Sequence, residues 1–155
     1  MRNKQKGFSL IELLIVVAII LIIAAIAIPN LLRSKIAANQ ASAVGSLRTL
    51  NTACIAFSTS YGQFPAALTN LGPMAANGTA SSTSADLIDS VLSSGTKSGY
   101  VFTFTAGASD QSYTITATPI TAATTGQNMY FTDQSGVIRV DTSGANATST
   151  STPIG

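Results

Sequence analysis

The sequence has 155 residues, of which 46% are apolar and only 9% charged, a profile closer to that of an anchored protein than of a soluble one. It has no histidine and one cysteine, Cys54, which excludes histidine-based metal clusters, Ser/His/Asp and Cys/His catalytic groups and an intrachain disulfide. Three of the eight basic residues lie in the first six positions, so the rest of the chain has no basic patch for nucleic acid. We therefore expect no enzyme, no metal or cofactor, and no direct nucleic-acid binding.

The first predicted element is an apolar helix. The 21 residues from Phe8 to Ile28 contain one charge, on Glu12, and residues 13–28 are all apolar. At about 1.5 Å per residue this segment is roughly 31 Å long, which matches the hydrocarbon thickness of a bilayer. Because basic residues precede it, the positive-inside rule predicts a single pass with a cytoplasmic N-terminus.

Two general interpretations of this segment remain open. A signal peptide would be cleaved after Ala27, in Ala-Ile-Ala, and would release a secreted binding module that begins at Ile28. Against it, the apolar run exceeds the roughly 7 to 15 residues usual in signal peptides, and Pro29 lies just after the cut. A plain anchor explains the length but not Glu12, because a carboxylate at the centre of a spanning helix costs about 2.5 to 3.5 kcal/mol.

A short motif gives a third interpretation. The stretch Gly7-Phe8-Ser9-Leu10-Ile11-Glu12 follows a basic leader and precedes an apolar helix with a proline at Pro29. Over residues 1 to about 30 the chain resembles type IV prepilins and the related pseudopilins of type II secretion. The resemblance implies that an inner-membrane prepilin peptidase cleaves between Gly7 and Phe8 and methylates the new amine of Phe8.

The resemblance also assigns a role to Glu12. It implies that the carboxylate of one subunit meets the terminal amine of a neighbouring subunit inside a filament. A buried acid that is paired with a cation and hydrogen-bonded becomes tolerable and can fix the register between subunits. Glu12 is therefore predicted to act in assembly and registration.

The function implied by the resemblance is that of a structural, major-pilin-like subunit of a type IV pilus. Such a subunit is held in the bacterial inner membrane, is taken up by an inner-membrane assembly platform, and forms a homo-oligomeric extracellular filament. The alternatives within the family are a type II secretion pseudopilin and a low-abundance minor pilin. The pseudopilin group usually carries acidic calcium-binding loops and a Trp-Gly stretch, whereas this sequence has no tryptophan and no acidic cluster. The secreted binding module is the alternative from a different class.

Beyond Pro29 the apolar residues recur every three or four positions, which predicts an amphipathic continuation of the helix. We predict one helix from about Ser9 to Tyr61, kinked at Pro29 because proline removes a backbone donor and clashes with the preceding turn. Its second half should pack on a sheet, with Cys54 as a small core residue rather than a reactive thiol. The residues of this stripe are Val44, Leu47, Leu50, Cys54, Phe57 and Tyr61.

A second, short helix is predicted to begin at Ser84 as its N-cap, to carry Asp86 in its first turn and to end at Gly95. Residues 77–83 are small and polar and are predicted to form a loop. We interpret Asp86 and Asp89 as solvated acids that complement the helix dipole, not as a catalytic pair.

Four antiparallel strands are predicted from alternating patterns at residues 100–104, 113–117, 128–132 and 137–140. The turn at 133–136 should place Gly136 in a left-handed conformation, with Asp133 in turn chemistry rather than as a calcium ligand. The sequence thus predicts an α+β chain with a long helix packed on a roughly four-stranded sheet. Its predicted parts are a cleaved leader at 1–7, a transmembrane and filament-core helix at 8–29, a globular domain at 30–142 and a flexible, exposed Ser/Thr-rich tail at 143–155.

Overall fold

The computed structural model describes residues 7–76 and 78–154. The basic residues of the predicted leader, and the first residue of the predicted 77–83 loop, lie outside this description. The chain divides into two compact units, residues 1–35 and residues 36–155.

The first helix, α1, spans Leu10–Tyr61 and is continuous over 52 residues, which confirms the predicted long helix. In a helix the backbone N–H and C=O groups form hydrogen bonds with one another. An apolar segment needs this arrangement because its side chains have no polar atoms that could pair with the backbone. It ends where Gly62 takes a φ of +75°, the left-handed conformation common just after a helix.

The second unit contains an antiparallel sheet in which each strand pairs with the next one in sequence. Among the described residues this sheet has six strands where four were predicted, and the α+β architecture is as predicted. The two additional strands, β1 (Thr96–Lys97) and β6 (Thr152–Pro153), have only two residues each, too short to show an alternating pattern. The strands are β1 (Thr96–Lys97), β2 (Tyr100–Ala106), β3 (Tyr113–Pro119), β4 (Met129–Asp133), β5 (Arg139–Asp141) and β6 (Thr152–Pro153).

The core of the second unit lies between the sheet and the buried face of α1 from Ile36 onward. Alternation along β2 and β3 turns one set of side chains to the core and leaves threonines on the other face. Each fully buried large apolar side chain contributes about 1.5 to 3 kcal/mol. The principal core residues are Leu47, Leu50, Cys54 and Phe57 from α1, and Tyr100, Phe102, Tyr113, Ile115 and Ala117 from the sheet.

The predicted second helix is wrong at its start. Helix α2 spans only Ser90–Ser93, and its N-cap is Asp89, whose carboxylate accepts the Leu92 N–H at 2.6 Å. Asp86, which was placed in the first helical turn, has a φ of +55°, which is incompatible with a helix. The backbone N–H groups around it donate to carbonyls of residues 70–72, at the end of the 3-10 helix Leu68–Leu71, and these bonds fix the segment.

The C-terminal segment, predicted as a flexible, exposed tail at 143–155, contains a short strand. Residues 152–153 form β6, which pairs with β5, and the next N–H, that of Ile154, donates to the Ile138 carbonyl at 2.8 Å. Ala147 is only 4% exposed. This segment covers the hydrogen-bonding edge that β5 would otherwise expose, a role that composition does not reveal.

Candidate functional site at the N-terminal segment

The residues of the predicted cleavage motif lie at the beginning of α1. Gly7, Phe8 and Ser9 precede the helix, and the Ser9 carbonyl accepts the N–H groups of Glu12 at 3.1 Å and Leu13 at 3.3 Å. Phe8 is 82% exposed, and no atom lies within 4 Å of the position that a Cβ on Gly7 would take. The peptide bond between Gly7 and Phe8 is therefore in open, non-helical chain.

The carboxylate of Glu12 has a local partner. Its Oε2 accepts the backbone N–H of Ser9 at 2.9 Å. This is one half of a capping box, in which a glutamate in the first turn satisfies an N–H that the helix leaves unpaired. The positive end of the helix dipole also favours an acid at this place. Our sequence reasoning missed this role, although the Ser-x-x-Glu spacing at Ser9 and Glu12 is readable.

The capping bond determines where the acid lies relative to the predicted new chain end. It holds the carboxylate against the backbone nitrogen of Ser9, the residue that follows Phe8. Glu12 is thus directed toward the N-terminal end of α1 rather than along the apolar helix. Gly7 and Phe8 lie directly before the helix and Glu12 lies in its first turn, whereas Pro29 lies well beyond them in the helix.

The apolar part of α1 is exposed over its whole length. The fifteen large apolar side chains from Phe8 to Ile28 are each at least 45% exposed. At about 1.5 to 3 kcal/mol each, their transfer out of water is worth tens of kcal/mol. Among the described residues, α1 is the one helix long and apolar enough to cross a membrane, a criterion that a signal sequence near the N-terminus also meets. This surface requires lipid or other apolar helices around it.

Pro29 lies inside α1, and the helix continues on both sides of it. Proline has no N–H to donate to the carbonyl of Ala25, one turn earlier, so the helix lacks one hydrogen bond there. A kink at this position stays a prediction.

The other polar candidates have structural roles. Cys54 is fully buried, and burial raises the pKa of its thiol to about 12, so it is an unreactive core residue, as predicted. Asp133 accepts the Ser135 N–H at 2.9 Å in the β4–β5 turn. Gly136 in that turn has a φ of +74°, which confirms its left-handed conformation. Within residues 7–76 and 78–154, no three His, Cys, Asp or Glu side chains group in a way that could hold a metal ion.

Comparison with known proteins identifies the N-terminal segment. Residues 2–28 match the family model of the prokaryotic N-terminal methylation motif. The chain is 52% identical over 50 residues to the type IV major pilin protein of Myxococcus xanthus, and 52% identical over 59 residues to a type IV major fimbrial protein of Dichelobacter nodosus. It is 65% identical over 40 residues to the type IV wide pilus major component of Thermus thermophilus. The N-terminal segment of this chain is therefore similar to that of type IV major pilins.

The similarity to these pilins is partial. The matched stretches are 32%, 36% and 26% of this chain, and 23%, 37% and 30% of the three relatives in the same order. No solved structure is significantly similar to the chain. The greater part of this chain is therefore described by its own structure rather than by those relatives.

Proposed function

We propose that this chain is a major-pilin-like structural subunit of a type IV pilus, processed between Gly7 and Phe8 and assembled into an extracellular helical filament. One observation carries the proposal: the matched methylation motif, residues 2–28, contains the exposed apolar surface of α1 from Phe8 to Ile28. The same segment thus combines a motif for processing with an apolar surface that must be buried. A membrane-held subunit that later packs its helices in a fibre needs both.

The open chain around Gly7 and Phe8 supports the proposed cleavage. A peptidase needs an extended, accessible segment, and the bond lies just before the first helical turn. Cleavage would leave an ammonium on Phe8, and N-methylation would preserve its positive charge. That charge would be created beside the end of α1 where the Glu12 carboxylate is held.

In the proposed filament, the Glu12 carboxylate pairs with the methylated amine of Phe8 in a neighbouring subunit. A buried acid without a partner costs several kcal/mol, while an acid that is paired and hydrogen-bonded does not carry that full penalty. The pairing would fix the register of one helix against the next. The existing hydrogen bond from Ser9 would orient the carboxylate before the neighbour arrives.

The energetics of the apolar helix support separate membrane and filament stages. Moving the helix from lipid to a bundle exchanges one apolar environment for another, so the net driving force is small. An inner-membrane assembly platform would therefore be needed to extract and add subunits. Repeated heterologous contacts that do not close into a ring would generate a fibre.

The mass of the mature chain tests the proposal. Surface material sheared from cells should yield a polypeptide that begins with N-methylated Phe8. A start at Ile28 would instead show release by signal peptidase, and filaments that retain Met1 would refute processing. Electron microscopy of cells with and without the gene tests filament formation separately, and surface filaments that persist after deletion would count against the role as major subunit.

A further inference from the structure

A groove of about 530 Å³ lies along α1 in the unit of residues 36–155. Its length from Ala37 to Arg48 corresponds to roughly 16 Å of helix. The helix wall is formed mainly by small side chains, and the opposite wall has both apolar and polar side chains from β4, β5 and the segments that flank the strands. Apart from Arg48, the lining residues are Ala37, Gln40, Ala41 and Val44 on the helix, and Asn128, Tyr130, Val140, Thr142 and Ile154 opposite.

Arg48 joins this groove to a second depression of about 380 Å³ on the same helix. The second depression contains Thr52, Ala56 and Leu87, and Leu87 is 38% exposed. Because Arg48 lines both, the two depressions form one surface with a cation at its centre, here called the Arg48 groove. Small side chains on both sides of that cation allow another chain to approach α1 closely.

The charges around the Arg48 groove are not balanced within the chain. Within the described part of the second unit, Arg48 is the only cation with neither a hydrogen bond nor an ion pair. Lys97 pairs with Asp89 at 2.9 Å, and Arg139 donates to the Ser151 carbonyl at 3.0 Å. Three basic against five acidic residues give residues 36–155 a formal charge of −2.

Carboxylates that could pair with Arg48 are present elsewhere in the chain. Within the described part of residues 36–155, four carboxylates form no ion pair, and none of them belongs to α1. They belong to Asp86, Asp110, Asp133 and Asp141. A second copy of the chain therefore offers a carboxylate that Arg48 does not find in its own chain.

We infer that the Arg48 groove is a contact surface for a second copy of this chain, which places apolar side chains over Ala37, Ala41 and Val44 and an aspartate carboxylate on Arg48. A guanidinium can bind a carboxylate through two parallel hydrogen bonds, which fixes orientation as well as distance. The contact is heterologous, because the groove and the carboxylates are different surfaces, and such contacts build open fibres. This inference rests on the proposed function, since the repeated contact is placed in a filament.

Cysteine labelling tests the contact. The native thiol of Cys54 is fully buried, so a cysteine introduced elsewhere can be labelled selectively in the folded chain. Ala41→Cys reports on the groove, and Thr103→Cys on the opposite, exposed face of β2 is the matched control. Each variant is labelled with a maleimide both as detergent-solubilised, unassembled subunit and in intact sheared filaments. Ala37→Cys, one helical turn away, replaces Ala41→Cys if that substitution itself prevents assembly.

We expect filament formation to slow the labelling of Ala41→Cys several-fold and to leave Thr103→Cys unchanged. Equal labelling of Ala41→Cys in filaments and in free subunits overturns the inference while leaving the proposed function intact. Absence of filaments from the unmodified chain overturns the proposed function, and the inference with it. The two failures are therefore distinguishable.

Charge removal provides an independent measurement. Arg48→Gln keeps a long polar side chain but removes the cation, and Lys97→Gln makes the same charge change outside the groove. We expect Arg48→Gln to reduce the yield of sheared filaments several-fold relative to Lys97→Gln, with equal amounts of subunit in the membrane. Equal filament yields from the two variants would overturn the role of Arg48.

Discussion

The polar contact between α1 and the sheet gives a quantitative prediction for Asn51→Ala. Asn51 is 6% exposed, and its Nδ2 donates to Thr132 Oγ1 at 2.9 Å and to the Gly136 carbonyl at 3.2 Å. Its Oδ1 accepts the hydroxyl of Tyr113 at 3.2 Å. Alanine would leave the buried hydroxyls of Thr132 and Tyr113 without this partner. At about 1 to 3 kcal/mol for each unsatisfied buried group, we expect a loss of roughly 2 to 5 kcal/mol in the free energy of unfolding.

Urea unfolding of the full chain in detergent measures this loss. Tyrosine fluorescence serves as the signal because the chain has four tyrosines and no tryptophan. With a slope of roughly 1.5 kcal/mol per molar urea, the midpoint should fall by about 1 to 3 M. Thr52→Ala on the exposed face of the same helix is the matched control and should change the free energy of unfolding by less than about 0.5 kcal/mol.

A double-mutant cycle separates the contact from other effects of the substitution. Thr132→Val removes one partner of Asn51, and the pair of substitutions together should show a coupling of about 0.5 to 3 kcal/mol. A loss below about 1 kcal/mol for Asn51→Ala, with no coupling to Thr132→Val, would refute the assignment of a buried network.

Three further predictions concern other parts of the chain. Gly126→Ala should lower the free energy of unfolding, measured in urea, by about 1 to 3 kcal/mol, because the new Cβ would meet the Tyr100 ring and hydroxyl. Gly45→Ala, in open space on α1, should raise it by about 0.5 to 1 kcal/mol. If Gly45→Ala proved the more destabilising of the two, both placements would be contradicted. Burial raises the pKa of Cys54 from 9.0 to about 12, and that of Tyr100 from 10.0 to about 12. The unfolded chain then loses these protons first, so the free energy of unfolding should fall as pH rises from about 9 through 12; a flat urea midpoint over that range would be inconsistent with it. Glu12→Ala should leave membrane insertion intact and impair filament assembly, measured by cell fractionation and electron microscopy, and filaments of normal abundance would exclude a registration role.

The prediction of the fold succeeded where a local pattern was sufficient and failed where a distant partner decided the structure. The long helix, the four longer strands and the left-handed Gly136 follow from hydrophobic period and turn chemistry, which are local properties. The start of α2 was wrong because backbone bonds to residues 70–72 hold the chain ahead of Asp89, and those carbonyls are distant in sequence. β6 was missed because two residues show no period, and its pairing depends on the free edge of β5.

Parts of the candidate sites were also readable from sequence. The predicted cleavage motif at Gly7 and Phe8 and the isolated acid Glu12 are visible in the sequence, and so is the Ser-x-x-Glu spacing at Ser9 and Glu12. Asn51 is a polar residue within the apolar stripe of α1, a signal of a buried polar contact. Arg48, in contrast, is one of several basic residues on the helix, and its sequence environment does not distinguish it.

The sequence by itself determined that the N-terminal segment is an apolar helix within a methylation motif, because length, apolar content and a short motif are properties of contiguous chain. Only the tertiary structure decided which residues of the second half of α1 face the sheet, where the C-terminal segment pairs, and which charges remain unpaired. These features depend on groups brought together from distant positions, such as Asn51 with Thr132 and Arg48 with the wall formed by Val140 and Ile154. Such contacts form only when the sheet packs on the helix, so the local hydrophobic pattern of the sequence does not reveal them.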